Sequence, residues 1–204
     1  MNMYDVLSSL SIKSPVFRSQ KEFQRLLINE LKTRGLHCMP DKNINKNTKV
    51  DIWVEDPKSG EIWIFELRNK TKEISTSLNG KQVELKNHGA QDQGRYDFLK
   101  DIEKIEKAVS TRDNVTGFGI IITNDPYYWE QPTKHDSVDR DFHINEGRIV
   151  SGILRWDPLA SQGTKKNREE PIQLKQTHSV NWSNYSSIPS EKNGLFRYLL
   201  LQIS

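Results

Sequence analysis

Val50-Asp51-Ile52-Trp53-Val54 and, after a polar break, Glu61-Ile62-Trp63-Ile64-Phe65-Glu66-Leu67-Arg68-Asn69-Lys70 form the stretch on which the reading of this chain turns. Each half is an apolar run of strand composition. The break, Glu55-Asp56-Pro57-Lys58-Ser59-Gly60, is turn chemistry, so the runs are expected to pair as an antiparallel hairpin. Such runs tolerate few charges, yet Asp51 sits near the start of the first and Glu66 near the end of the second. Two carboxylates on neighbouring strands, with Arg68 two residues beyond one of them, can hold a hard divalent cation beside a positive side chain. That combination suits phosphodiester hydrolysis.

Side chains alternate along a strand, so Glu66, Arg68 and Lys70 project to one side and Phe65 and Leu67 to the other. Asp51 and Glu66 converge if the hairpin register makes them neighbours. The ligands on offer are oxygens, with the Leu67 carbonyl as a third, and no Cys or His lies nearby; this favours Mg²⁺ or Mn²⁺ over Zn²⁺. Such an ion lowers the pKa of a bound water and neutralises charge on a phosphate. Arg68 is the candidate for stabilising the transition state electrostatically.

Working outward, Ser19-Gln20-Lys21-Glu22 has the form of a capping box that opens a helix to about Arg34, ended by Gly35. Residues 41–49 and 71–90 read as polar loops, the second with a short strand near Gln82–Lys86. A second helix, capped near Asp92, runs to about Val109. Phe98, Ile102, Ile105 and Val109 make its apolar stripe, and Lys100, Glu103, Lys104, Glu106 and Lys107 are expected to face water. Thr116–Thr123 is a near-continuous apolar run, the pattern of a strand buried on both faces. Residues 1–125 thus read as an α/β core. Beyond them, Arg148–Trp156, Ile172–Thr177 and Leu195–Ile203 read as strands of a β-rich C-terminal extension, residues 126–204, packed on the core through Trp129, Trp156 and Trp182.

Helix, Asp-bearing strand, Glu-x-basic strand, helix, strand is an order that resembles the PD-(D/E)XK nuclease superfamily, over roughly residues 19–124. The resemblance implies a restriction-endonuclease-like mixed β-sheet flanked by helices, and a Mg²⁺- or Mn²⁺-dependent DNA endonuclease working in restriction, phage defence or DNA processing. It puts Asp51 and Glu66 on the metal and Arg68 at the usual Lys position. Arginine is permanently charged and cannot take a proton, though it can clamp phosphate; Lys70, on the same face, is the alternative. Glu22 is the candidate for an acidic residue that several members carry on the first helix, with Glu30 in reserve. Gln91, Gln93, Arg95 and Tyr96, at the start of the second helix, are candidate nucleic-acid contacts, since helix N-termini attract phosphate. By analogy the resemblance also allows a homodimer. The competing reading is a non-catalytic nucleic-acid-binding or regulatory module that keeps the fold.

Composition sets wide bounds. The 204 residues are 34% hydrophobic and 28% charged, with a net charge of +3, which permits an anionic partner such as DNA without requiring one. Cys38 is the sole cysteine, so no internal disulfide forms; with no signal peptide and no apolar run long enough for a membrane span, a cytoplasmic protein is expected. No membrane partner and no dinucleotide cofactor is expected, and no G-x-S-x-G element supplies a hydrolase elbow. The run from Lys134-His135-Asp136 to His143 and the basic cluster Lys165–Arg168 read as solvated loops.

Overall fold

The apolar run near residue 120 is the strand on which the sheet is assembled. A computed structural model describes residues 2–46, 48–78, 80–134, 136–189 and 191–204. In chain order its elements are α1 (Met3–Lys13), α2 (Gln20–Lys32), β1 (His37–Asn45), β2 (Thr48–Glu55), β3 (Ile62–Lys70), β4 (Ile74–Leu78), β5 (Lys81–Leu85), α3 (Gln91–Val109), β6 (Val115–Thr123), β7 (Ile149–Leu154), α4 (Gln162–Lys165), β8 (Ile172–Ser179), β9 (Trp182–Ser187) and β10 (Leu195–Ile203). The fold is mixed α/β. Six strands form one sheet in the order β1-β2-β3-β6-β10-β9, and β4-β5 and β7-β8 form separate hairpins. Every pairing in the main sheet is antiparallel except β3 with β6. A parallel pair needs a crossover connection, which α3 provides.

The hairpin pairs as expected, from Ile52 opposite Phe65 to Glu55 opposite Ile62. One face of the sheet, carrying Ile52, Val54, Phe65 and Leu67, is covered by α1 and α2. The other, carrying Trp53, Ile64 and Ile121, is covered by α3. Helix α2 begins as the capping pattern requires, with the Glu22 amide donating to Ser19 Oγ at 3.1 Å, and Gly35 follows its end at φ +82°. Helix α3 differs. Its N-cap is Ala90, in the left-handed region and without a side-chain cap, so Asp92 sits inside the first turn.

Two glycines in β6 set how deeply α3 lies. A Cβ at Gly117 would come 2.0 Å from Ile105 Cγ2, and one at Gly119 would come 2.2 Å from Ile102 Cδ1. The helix therefore rests against bare backbone there, and its inward charged residues reach β3.

The last third of the chain departs from the expected extension. Strands β9 and β10 continue the main sheet beyond β6, so a division at residue 125 cuts through one sheet. Only β7-β8 packs as a separate layer, against α3. Trp129 and Trp182 meet with ring centroids 5.8 Å apart, and Trp156 stacks on Tyr96 at 5.8 Å. The same layer buries Glu103 and Glu106, which were expected to face water: they accept the amides of Gln173, Lys175 and Gln176 at 3.0, 2.7 and 3.0 Å. Acidic side chains here satisfy the free edge of β8. The loop after residue 134 is also not solvated throughout: Asp139, Phe142 and His143 are buried, while His135 lies outside the described residues. Among the described residues no helix is long and apolar enough to cross a membrane.

Candidate active site

The β2-β3 ladder stops at Ile52 and Phe65, although β3 runs on to Lys70. Continuing that register by one residue sets Asp51 across from Glu66, and residues directly opposite in an antiparallel pair share a face. It is the face of Trp53 and Ile64, the one α3 covers. Where the ladder stops, a side chain replaces the missing main-chain bond: the Leu67 amide donates to Asp51 Oδ2 at 2.8 Å. The N–H and C=O of one strand residue point the same way, so the Leu67 carbonyl faces this gap as well. From α2, Gln20 donates to Asp51 Oδ2 at 3.4 Å and the buried Gln24 donates to the Asp51 carbonyl at 2.5 Å. Asp51 is half-buried, whereas Glu66 is 4% exposed.

Helix α3 brings the other charges. Lys104 Nζ lies 2.7 Å from Glu66 Oε1, out of line for a hydrogen bond, and 3.9 Å from Asp101 Oδ1. Arg68 Nε donates to Asp101 Oδ2 at 2.6 Å, and its fork extends to Asp97, which Arg168 grips with two bonds of 2.7 and 2.9 Å. Burial pushes the Glu66 carboxyl up to about 8, and the like charges of Asp101 and Asp51 push the same way against the pull of Lys104. Burial likewise raises Asp101, against the pull of Arg68. Burial opposes the Arg68 charge, yet Asp101 and Asp97 outweigh it and hold the guanidinium above its ordinary value. Burial and crowding thus favour the neutral forms of Glu66 and Asp101, and the nearby Lys104 and Arg68 offset that only in part. A groove of about 670 Å³, lined by Thr48, Lys100, Asp101, Lys104 and Arg112 among others, opens beside them.

The candidates from sequence divide. Asp51, Glu66, Leu67 and Arg68 come together. Lys70 is half-buried on the same face and has no hydrogen-bond or ion-pair partner among the described residues; burial, then Arg68, lowers its pKa. Its Cε lies against the first turn of α3, 3.4 Å from where a Cβ at Gly94 would stand. Glu22 stays outside the cluster: it pairs with Arg18 at 2.9 Å and accepts the Arg18 amide at 2.7 Å. Glu30 binds Lys13 and Arg34 at 2.6 and 3.2 Å, joining α1 to α2. The polar start of α3 fastens the C-terminal third. Gln91 donates to Asp125 at 2.8 Å, Gln93 to the Thr164 carbonyl at 3.0 Å, and Tyr96 to the Glu170 carbonyl at 2.7 Å; Arg95 donates to the Tyr127 carbonyl at 3.0 Å and pairs with Asp139. Gln20, Gln24, Asp101 and Lys104 belong to the site without having been singled out from the sequence. The first two lie on the first turns of α2, and the last two were hidden in the charge-rich face of α3.

No family model, no curated protein and no solved structure matches this chain. Among the described residues no three His, Cys, Asp or Glu side chains are grouped to hold a metal ion by themselves. The donors that fit a hard cation are two carboxylates and the Leu67 carbonyl, and Glu66 Oε1 is buried without a hydrogen-bond donor.

Proposed function

We propose that the protein is a Mg²⁺- or Mn²⁺-dependent DNA endonuclease with a restriction-endonuclease-like core. The observation that supports this reading is the Leu67 amide donating to Asp51 Oδ2 at 2.8 Å where β2 and β3 stop pairing, which brings the Asp51 carboxylate to the strand segment that carries Glu66. The chain order supports it: helix α2, Asp-bearing β2, Glu-bearing β3, crossover α3 and parallel β6. Asp51, Glu66 and the Leu67 carbonyl would hold the cation, which would activate a water and neutralise charge on the scissile phosphate. The chain's own residues prepare the place. The Leu67 amide and Gln20 fix the Asp51 carboxylate, Asp101 holds Arg68 rigid, and α3 excludes water from Glu66, strengthening every charge inside.

Nicking of supercoiled plasmid with Mg²⁺ or Mn²⁺ tests the reading. Wild type is expected to cut, and Asp51→Asn and Glu66→Gln are expected to lose about a hundredfold or more while remaining folded. Undiminished cutting by either variant refutes it. A second reading, a nucleic-acid-binding module without catalysis, has one observation in its favour: the Leu67 amide and Lys104 already meet the two acids. A wild-type protein that binds DNA and cuts no form of it decides for that reading.

A further inference from the structure

A positive side chain beside the two acids can stabilise charge that gathers on a phosphate, and of the two that β3 offers Arg68 is paired with Asp101, while Lys70, without a hydrogen-bond or ion-pair partner among the described residues, lies against the first turn of α3. The guanidinium of Arg68 is held towards α3, its Nε donating to Asp101 at 2.6 Å and its terminal nitrogens lying 3.5 Å from the Asp97 carbonyl and 3.9 Å from the Asp97 carboxylate. Lys70 is turned towards Gly94. The ammonium that does adjoin the pair comes from the opposite element: Lys104, one turn beyond Asp101 on α3, reaches down to Glu66 Oε1 at 2.7 Å. Asp101 is 3.9 Å away and the Lys49 carbonyl accepts at 3.1 Å. The side chain is 32% exposed and lines the open groove, so its ammonium connects the buried acid with solvent-borne substrate. The glycines of β6 permit this reach, because they let α3 settle onto the sheet.

We infer that Lys104, entering from α3, is the catalytic lysine of this site, contacting the scissile phosphate beside Asp51 and Glu66, and that Arg68 only positions Asp101. The inference rests on the nuclease reading. In the step it serves, a water oxygen forms a bond to phosphorus and loses a proton to solvent. The bond from phosphorus to the leaving oxygen breaks, that oxygen keeps the electron pair, and it takes a proton from solvent. Lys104 transfers no proton in this step and faces the charge that gathers on the non-bridging oxygens. A compact ammonium suits that point contact, where a planar fork does not.

Single-turnover nicking of plasmid with Mg²⁺ tests this, with Lys104→Met and Lys104→Arg compared to wild type, and with thermal melting and DNA binding in Ca²⁺ recorded alongside. Lys104→Met is expected to lose about a hundredfold in rate, the scale of losing one electrostatic group, with DNA affinity within about threefold. Lys104→Arg, which keeps the ion pair with Glu66, is expected to melt like wild type and lose about tenfold. A wild-type rate in either folded variant overturns the assignment while leaving the nuclease reading intact. Should the Met variant fail to fold, the Arg variant decides alone. A wild-type protein that cuts no form of DNA overturns the nuclease reading and this assignment with it.

Discussion

Replacing Glu66 by glutamine removes a charge that the fold holds at a cost, and the size of that cost can be read from the site. The carboxyl is 4% exposed and faces Asp101 and Asp51. Its ordinary value of 4.5 rises to about 8 on folding, so between those values the native state binds a proton that the unfolded chain has released. Stability therefore falls as pH rises from about 4.5 and levels off above about 8. Each pH unit crossed is worth about 1.4 kcal/mol, which makes the whole interval roughly 5 kcal/mol. Glutamine keeps the shape and never ionises, while Lys104 retains Asp101 and the Lys49 carbonyl. For a chain of this length 1 kcal/mol moves the melting temperature by about 2–4 °C. Glu66→Gln is thus expected to gain roughly 10–20 °C over wild type on going from pH 4.5 to pH 9, followed by circular dichroism or scanning calorimetry. The fixed cost of the substitution cancels, because only the change in the difference with pH is read. A difference between the two proteins that stays constant within about 2 °C across that range would refute the claim that Glu66 is a desolvated, crowded acid.

Two more substitutions probe the frame around it. Gly117→Ala sets a methyl 2.0 Å from Ile105 Cγ2, a branch fixed close to its own backbone, so α3 must lift; a loss of about 1–3 kcal/mol is expected in urea unfolding, together with slower nicking as Lys104 and Asp101 withdraw. An unchanged urea midpoint would contradict this packing. Arg68→Ala leaves Asp101 buried with only the distant Lys104, and is expected to destabilise by about 3–5 kcal/mol, whereas Arg68→Ala combined with Asp101→Asn should recover most of that. A double variant no more stable than the single one would show that the pair is not what holds α3 to β3.

The hairpin, α2, α3, β6 and β10 are legible in the sequence for the same reason: each has an apolar pattern that only one element type satisfies. The two site acids are legible because Asp51 and Glu66 interrupt such patterns, where a charge calls for an explanation. Elements without a pattern are not legible. Strand β1 carries Pro40, Asp41, Lys42 and Asn43 and is mostly exposed at the sheet edge; pairing with β2 makes it a strand. Lys104 looks like any other lysine on an amphipathic helix, and only the closeness of α3 to β6 turns it inward. The polar cluster from Gln91 to Tyr96 exceeds what a helix start requires. Its partners, Thr164, Glu170 and Asp139, lie so far along the chain that no local reading finds them.

The position of β10 bears on how the chain is made. Strand β6 receives β3 on one side early in synthesis, but its other neighbour is Leu195–Ile203. Until the ribosome has delivered those residues, the greasiest segment of the molecule presents a row of unclaimed amides and carbonyls to whatever strand is nearby. A truncation before Leu195 would leave that edge bare for good, and the expected product is insoluble aggregate rather than a smaller folded protein.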